Sequence, residues 1–544
     1  VKGCLSLNCY LPQSIPSEPR FVHASMLFLF SFVLSFLPCF SISNFPVVST
    51  SYGSIRGYEY TTESGFTAQI FKKLPFASPP IGDLRWAKPL PPHKWNETID
   101  GTFFGPACAQ RTLRYSGPVS GFSEDCLHIN IYTSDHCISN SSCPVLFLIH
   151  GGLGIYEAPM KFPDQVIVTN FVSQDIVVVS TAYRLGAFGV MALGDENEMP
   201  ANLLMHDVLA ALKFTRSEIH AFGGDKERIT LMGHSTGGQM ALLLAFSPGI
   251  SPPEVPHLFS SVISMSAPSG FESMELQVQR THNITDKLNC SGTAREIVAC
   301  MRRKTSDEIL NVDLEIRGTH ITSEESIIGI VMGGELLPIT NSRELREKNQ
   351  PLRLMIGTTL NEVKGTGSGN KVNKVVGFGN DEECYEKYLD DINSGKLVTE
   401  HNTDAQAIIM TAHLMAKAEE QSGGEVYLYE YDYPVHAMHT DDAFFVLGFH
   451  EFEKDSNEEW LSRVYPRYFA NFVNGRRPAP DWYRLKPHLM NYYSVNRNET
   501  SGVSPLMKFG YQHEISDYYD EMIKFDQRLS EVKGEVSNRP IEYH

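Results

Sequence analysis

The sequence predicts an α/β protein in which a central, mostly parallel sheet is covered by helices on both faces. Three observations carry that prediction. Short runs rich in Val, Ile, Leu and Tyr recur along the chain; amphipathic stretches with helical spacing lie between them; and neither an internal repeat nor a long Pro/Gly/Ser-rich linker divides the chain. A strand buried on both faces has no polar side to alternate with, so it reads as an unbroken apolar run. Six such runs are VLFLIH (145–150), IVVVST (176–181), ITLMG (229–233), SVISMS (261–266), LRLMIG (352–357) and VYLYEY (426–431). The stretch HDVLAALKFTRSEIHAF (206–222) has apolar residues at helical spacing and is one of the covering helices expected between them. Strand and helix alternate over several hundred residues, so one large domain over 44–544 is expected.

The amino end reads as a leader. MLFLFSFVLSFLPCFSIS (26–43) is an apolar stretch too short to span a bilayer, followed by small residues suited to signal-peptidase cleavage. The mature chain is therefore expected to start near Asn44, with Met26 as initiator and residues 1–25 lying upstream of it. No second long apolar segment and no GPI-type tail is visible, so no membrane anchor is expected. A formal charge of −18 argues against a nucleic-acid partner, because like charge repels phosphate and no basic tract is present.

Cysteine usage agrees with export. Three of the ten cysteines fall in the leader, and six of the rest form short-range pairs: Cys108 with Cys126, Cys137 with Cys143, Cys290 with Cys300. No CxxC spacing is present, so loop-closing disulfides in an oxidising compartment are a better reading than zinc. Cys384 is left over, either buried and inert or available for an intermolecular bond. Sequons at Asn96, Asn140, Asn283, Asn289 and Asn498 fit a secreted glycoprotein of the extracellular space or secretory lumen.

ITLMGHSTGGQMALLL (229–244) carries the chemistry. A strand, then GxSxG, then a helix is the context of a nucleophile elbow: Gly233 and Gly237 lack a Cβ, strand and helix approach, and Ser235 is forced into a strained, exposed turn. The helix amino terminus beneath Ser235 favours the negative charge that develops in acyl transfer. LFLIHGGLGIY leaves a buried strand into His150, Gly151, Gly152 and Leu153, matching the loop that presents backbone N–H groups to an oxyanion; the N–H of Thr236 completes the set. An ordinary glycine turn explains that loop equally well alone, but not beside the elbow.

Taken together, FGGDKERITLMGHSTGG, SEDCLHINIY, AYRLGAFGV, LPFASPPIGDLRWAKP and HTDDAFFVLG, in that family's order, resemble the type-B carboxylesterase and cholinesterase family of α/β-hydrolases. The resemblance runs from about Val47 to about Gly475, with a weaker tail. It implies a triad: the acid lies five residues after a strand-ending Gly, which singles out Glu362 in IGTTLNE, and the base precedes a segment like FFVLG, which singles out His439. Ser235 would attack an ester carbonyl, His439 would take its proton and pass it to the leaving alcohol, and Glu362 would fix the imidazole tautomer. Small-molecule esters are the implied partners, no cofactor is implied, and the oligomeric state is left open. The resemblance also implies buried ion pairs Arg85 with Glu124 and Arg184 with Asp207, the bonds Cys108–Cys126 and Cys290–Cys300, and a hydrogen bond from Ser266 to the acid. Cys137–Cys143 is additional and is expected to pin a hairpin.

Departures shape the substrate reading. Leu153 stands where the family usually has Gly or Ala, so reduced activity on bulky esters is expected. His234 replaces the cholinesterase Glu, and the loop between Cys108 and Cys126 has no Trp to hold a quaternary ammonium, so choline esters are disfavoured. ANLLMHDV lacks two glycines and a Gln found in most relatives. The reading is a hydrolase of small or medium non-choline carboxylic esters; the alternative is an adhesion or binding member of the same fold, against which stand three competent triad residues. HAMHTDD (436–442) is a weak metal signal without a third remote ligand, so no metal is expected, and GTGSGN (365–370) is a surface loop rather than a nucleotide cradle.

Overall fold

Side-chain alternation along the central strands explains how one sheet supports two cores. In Cys143–Ile149, Val145, Phe147 and Ile149 enter one buried cluster while Leu146 and Leu148 enter the other. The strands Val177–Thr181, Gly224–His234, Arg353–Thr359 and Glu425–Tyr431 divide in the same way. Successive residues of a strand point to opposite faces, so a run apolar throughout must be covered on both sides. The computed structural model describes residues 45–111, 121–250, 258–268, 270–317, 329–347, 350–364 and 371–534; the expected leader and the GTGSGN loop lie outside them.

Eleven strands form the main sheet. In chain order they are β1 (Tyr58–Thr61), β2 (Thr67–Pro75), β3 (His128–Thr133), β4 (Cys143–Ile149), β5 (Val177–Thr181), β6 (Gly224–His234), β7 (Ser261–Met265), β8 (Arg353–Thr359), β9 (Glu425–Tyr431), β10 (Tyr492–Val495) and β11 (Leu506–Lys508). Their order across the sheet is β11-β10-β9-β8-β7-β6-β4-β5-β3-β2-β1. Strands β10 through β5 in that order are parallel, and both edges are antiparallel. All six runs marked in the sequence are central strands. The edge strands are shorter or more polar and gave no such signal.

Helices α1 (Asp135–Asn140), α2 (Leu203–Glu218), α3 (Thr236–Phe246), α4 (Thr403–Gln421), α5 (Asp441–Leu447), α6 (Ser456–Val473) and α7 (His513–Lys533) include those that position the site. Residues of α2, α3, α4 and α7 join the first cluster, and those of α5 and α6 the second, so both faces of the sheet are covered. The helix expected over 206–222 begins at Leu203 and ends at Glu218; Ile219–Phe222 tighten into a 3-10 turn.

The two ion pairs form as expected. Arg85 Nε donates to Glu124 at 2.6 Å, and Arg184 grips Asp207 through Nε and Nη2, both at 2.7 Å. The three short-range disulfides are present, and Cys384 is free and buried. One expectation is corrected: Cys137–Cys143 does not pin a hairpin but ties α1 to the first residue of β4. The reason is local, since Ser134 accepts from the Cys137 N–H and caps a helical turn where a hairpin strand would have had to run.

Candidate active site

Strand order fixes where the site can be. From β4 the chain moves to β5 on one side, while β6 lies on the other, so a crevice opens at the carboxyl ends of β4 and β6. The loop after β4 holds His150 to Gly154, and β6 ends at His234, directly before Ser235. Glu362 follows β8 and His439 follows β9, so the candidate residues all leave the same edge of the parallel sheet.

The elbow is set by glycine. A Cβ on Gly233 would lie 2.1 Å from the Gly237 carbonyl carbon, and one on Gly237 would lie 2.1 Å from the Ile149 oxygen. Ser235 consequently adopts φ 57° and ψ −130°, a conformation that costs on the order of 1 to 3 kcal/mol and persists where its surroundings enforce it. Its N–H is held by Met265 O at 2.9 Å, and α3 starts at the next residue.

Three side chains converge on that turn. His439 Nε2 lies 2.9 Å from Ser235 Oγ, and His439 Nδ1 lies 2.6 Å from Glu362 Oε2. Glu362 is completely buried, and its other oxygen accepts from Thr359 N–H at 2.9 Å. A carboxylate only accepts, so it fixes the imidazole proton on Nδ1 and leaves the Nε2 lone pair facing the serine hydroxyl. The His439 N–H also donates to Glu362 O at 2.7 Å, tying the two loops together through the backbone.

The loop after β4 lies against the serine. A Cβ on Gly151 would stand 2.8 Å from His234 O and 3.2 Å from the Ser235 Cβ. Gly152 has φ +99° and a Cβ there would meet Tyr156 O at 2.2 Å, so both positions need glycine. Leu153 has φ 56°, unusual for a branched residue. Among the described residues no protein group accepts from the N–H of Gly152, Leu153 or Thr236. Tyr183 braces the loop by donating to His150 O at 2.7 Å and stacking on the His150 ring, whose pKa burial pushes down to about 3.

Other groups tune the histidine side. His234 donates from Nε2 to His439 O at 2.5 Å, and burial, then the neighbouring His439, hold it well below the usual imidazole range. Asp442 is buried, accepts from Tyr465 OH at 3.0 Å and is pushed up to about 8, by burial first and the Glu362 charge second. It therefore carries its proton at neutral pH. His436 is engaged elsewhere, with Glu458 Oε1 at 2.7 Å, and Asp441 accepts from Met438 N–H at 2.8 Å, so the HAMHTDD residues diverge to separate partners. Among the described residues no group of three His, Cys, Asp or Glu is placed to hold a metal ion.

The bond expected from Ser266 to the acid is absent. Ser266 adopts φ 48° and donates its N–H to Gly357 O at 2.9 Å, while its hydroxyl is buried without a partner and Thr359 N–H takes its place on Glu362. Sequence reasoning missed Thr359 because a backbone donor leaves no residue-type signal. It missed the His234 bond because that acceptor is a carbonyl.

This arrangement defines a class: an α/β-hydrolase carrying a Ser–His–Glu constellation on a nucleophile elbow. The sequence profile of the carboxylesterase family matches residues 44–380 and 370–514, and the chain belongs to that family. Carboxylesterase 1F of Mus musculus is 28% identical over 524 residues, covering 84% of this chain and 91% of that enzyme. Juvenile hormone esterase of Tribolium castaneum is 34% identical over 272 residues, 49% of this chain and 45% of that protein. The crystal structure of juvenile hormone esterase from Manduca sexta, with OTFP covalently attached, superposes with a TM-score of 0.72 at 19% identity, covering 88% of this chain and 99% of that one. The protein is an enzyme of the carboxylesterase class.

Proposed function

We propose that the protein is a secreted serine hydrolase of small or medium non-choline carboxylic esters, working through an acyl-enzyme on Ser235. His439 removes the Ser235 proton as the hydroxyl attacks the ester carbonyl, and the imidazolium formed is stabilised by the Glu362 carboxylate. The tetrahedral oxyanion is received by N–H groups of Gly151, Gly152, Leu153 and Thr236 at the amino end of α3. His439 then protonates the departing alcohol, and water repeats the cycle to release the acid.

The observation that carries this reading is the continuous contact from Ser235 Oγ to His439 to Glu362, at 2.9 and 2.6 Å. Secretion is supported by the three disulfides and by exposure of all five sequon asparagines, Asn96, Asn140, Asn283, Asn289 and Asn498, which are also the proposed glycan sites. Among the described residues no helix is long and apolar enough to cross a membrane. The exclusion of choline esters rests on His234, neutral and bonded inward, in place of an anion. Hydrolysis of p-nitrophenyl acetate, butyrate and octanoate beside a choline ester, by wild type and Ser235→Ala, tests the proposal. Turnover of the neutral esters that vanishes in Ser235→Ala is expected; equal turnover by both proteins would reject it.

A further inference from the structure

Acyl transfer leaves a second concave surface of the molecule unused. The stripe of α2 that carries His206, Leu209, Ala210, Lys213, Phe214 and Ser217 lines a cleft of about 520 Å³. Spacings of three and four residues place these side chains on one face of the helix, and from His206 to Ser217 that face runs about 16 Å. Tyr52, Phe76 and Leu336 add apolar lining, and Tyr52 packs on Phe214 with ring centres 5.4 Å apart. Small-molecule sites commonly hold about 300 to 1,000 Å³ and are mostly apolar with a few polar groups, and this cleft meets both conditions. Gly249 also lines it, just beyond the carboxyl end of α3, whereas Ser235 precedes the amino end of that helix. The length of α3 puts about 16 Å between its two ends. No lining residue belongs to the triad or to the loop after β4, so the cleft is separate from the ester site.

Its polar groups have a surplus of positive charge. Lys88, Lys213 and Glu335 line the cleft together with His206, and each of the three acts on the histidine's charge. Lys88 bonds Glu335, while Lys213 is exposed and pairs with no carboxylate among the described residues. Two ammonium groups thus face one carboxylate, a locally positive cleft in a chain whose formal charge is −18. His206 is only 7% exposed, and its Nε2 is buried without a hydrogen-bond partner. Burial first, then Lys88, push its pKa down to about 4, so the ring is neutral at neutral pH. Buried polar nitrogens are normally satisfied, and one left open on a cleft wall marks a place for the polar end of a ligand. A groove that is apolar along its length and carries an unspent ammonium suits an aliphatic chain with an anionic head. A carboxylesterase releases carboxylic acids, so an anion of the fitting chemistry is one this class of enzyme itself generates.

We propose that the cleft along α2 is a binding site for an aliphatic carboxylate, separate from the ester site, with the carboxylate beside Lys213 and the chain along Leu209, Ala210 and Phe214. The test is calorimetric titration of decanoate into the whole protein with saturating fluorophosphonate present, which keeps the ester site blocked. The readout is binding, so it stands whether or not Ser235 turns over an ester. One decanoate per chain should bind, and decanol, of the same chain length without the charge, should bind more weakly. Lys213→Glu should weaken decanoate by about tenfold, the lower end for a charge-assisted bond because Lys213 is exposed, while leaving decanol unchanged. Ala210→Trp, which fills the middle of the groove, should abolish binding of both ligands. If Ala210→Trp does not fold, Lys213→Glu decides alone, since it changes an exposed position. No binding of decanoate to wild type, decanol bound as tightly as decanoate, or the same decanoate affinity in wild type and Lys213→Glu overturns the proposal.

Discussion

Exchanging Glu362 for Gln changes one atom type in a fully buried site, and the structure dictates the consequence. Glu362 spends one oxygen on Thr359 N–H at 2.9 Å and the other on His439 Nδ1 at 2.6 Å. An amide satisfies only one of these. If its oxygen faces His439, its NH2 meets the Thr359 N–H donor to donor. If its oxygen stays on Thr359, its NH2 donates to Nδ1, which moves the imidazole proton to Nε2 and points N–H rather than a lone pair at Ser235. The first orientation strains the buried acid loop, and the second disables the base. Loss of the correct tautomer costs about 10⁴-fold in kcat, close to 5.5 kcal/mol of barrier. The assay is kcat for p-nitrophenyl butyrate per active site, alongside thermal melting to establish that the variant is folded. A folded Glu362→Gln enzyme within about tenfold of wild type would refute the assignment of Glu362 as the residue orienting His439.

Leu153→Gly removes a side chain from a left-handed position at φ 56°, relieving about 1 kcal/mol of strain, and should raise kcat/KM for bulky acyl groups more than for acetate; equal or lower values across a graded acyl series would count against it. Asp442 has a folded pKa near 8, far above its unfolded value, so the native state binds the extra proton and this group's support is whole at acid pH and lost as pH rises toward 8. Asp442→Asn, which cannot ionise, should therefore gain stability relative to wild type between pH 5 and pH 9 by on the order of a few kcal/mol, and pH–melting curves of the two that run parallel would contradict this. Asp207→Asn leaves the Arg184 guanidinium, bonded at 2.7 Å through two nitrogens, without its buried counter-charge and should cost about 3 to 5 kcal/mol in urea unfolding; a loss under 1 kcal/mol would show the pair to be water-exposed in solution.

The fold was legible because central strands and elbow are written in residue types. A strand covered on both faces must be apolar throughout, and VLFLIH and ITLMG have no other easy reading. Gly233 and Gly237 are readable because their missing Cβ atoms are sterically required, as the 2.1 Å clashes show. His439 and Glu362 were not readable from local pattern; their offsets within a family resemblance singled them out, since a loop His or Glu has no periodicity. The backbone donors and acceptors that fix the site, Thr359 N–H on Glu362 and His439 O on His234, left no trace in composition. Ser266 shows the limit of carrying a contact over by position: its residue type matches, but a backbone at φ 48° leaves the hydroxyl without the acid. The gathering of Lys88, Lys213 and Glu335 about His206 brings together residues whose proximity only the folded chain reveals.

Ser235 is proposed to be a nucleophile primed by His439 and the buried Glu362 behind it. Reaction with a fluorophosphonate, followed by peptide mapping by mass spectrometry, tests this most directly. One phosphonyl group per chain is expected, on the peptide containing Ser235, with labelling slowed by orders of magnitude in His439→Ala. A label on a different residue, or an unmodified Ser235 in folded protein at saturating reagent, would contradict it.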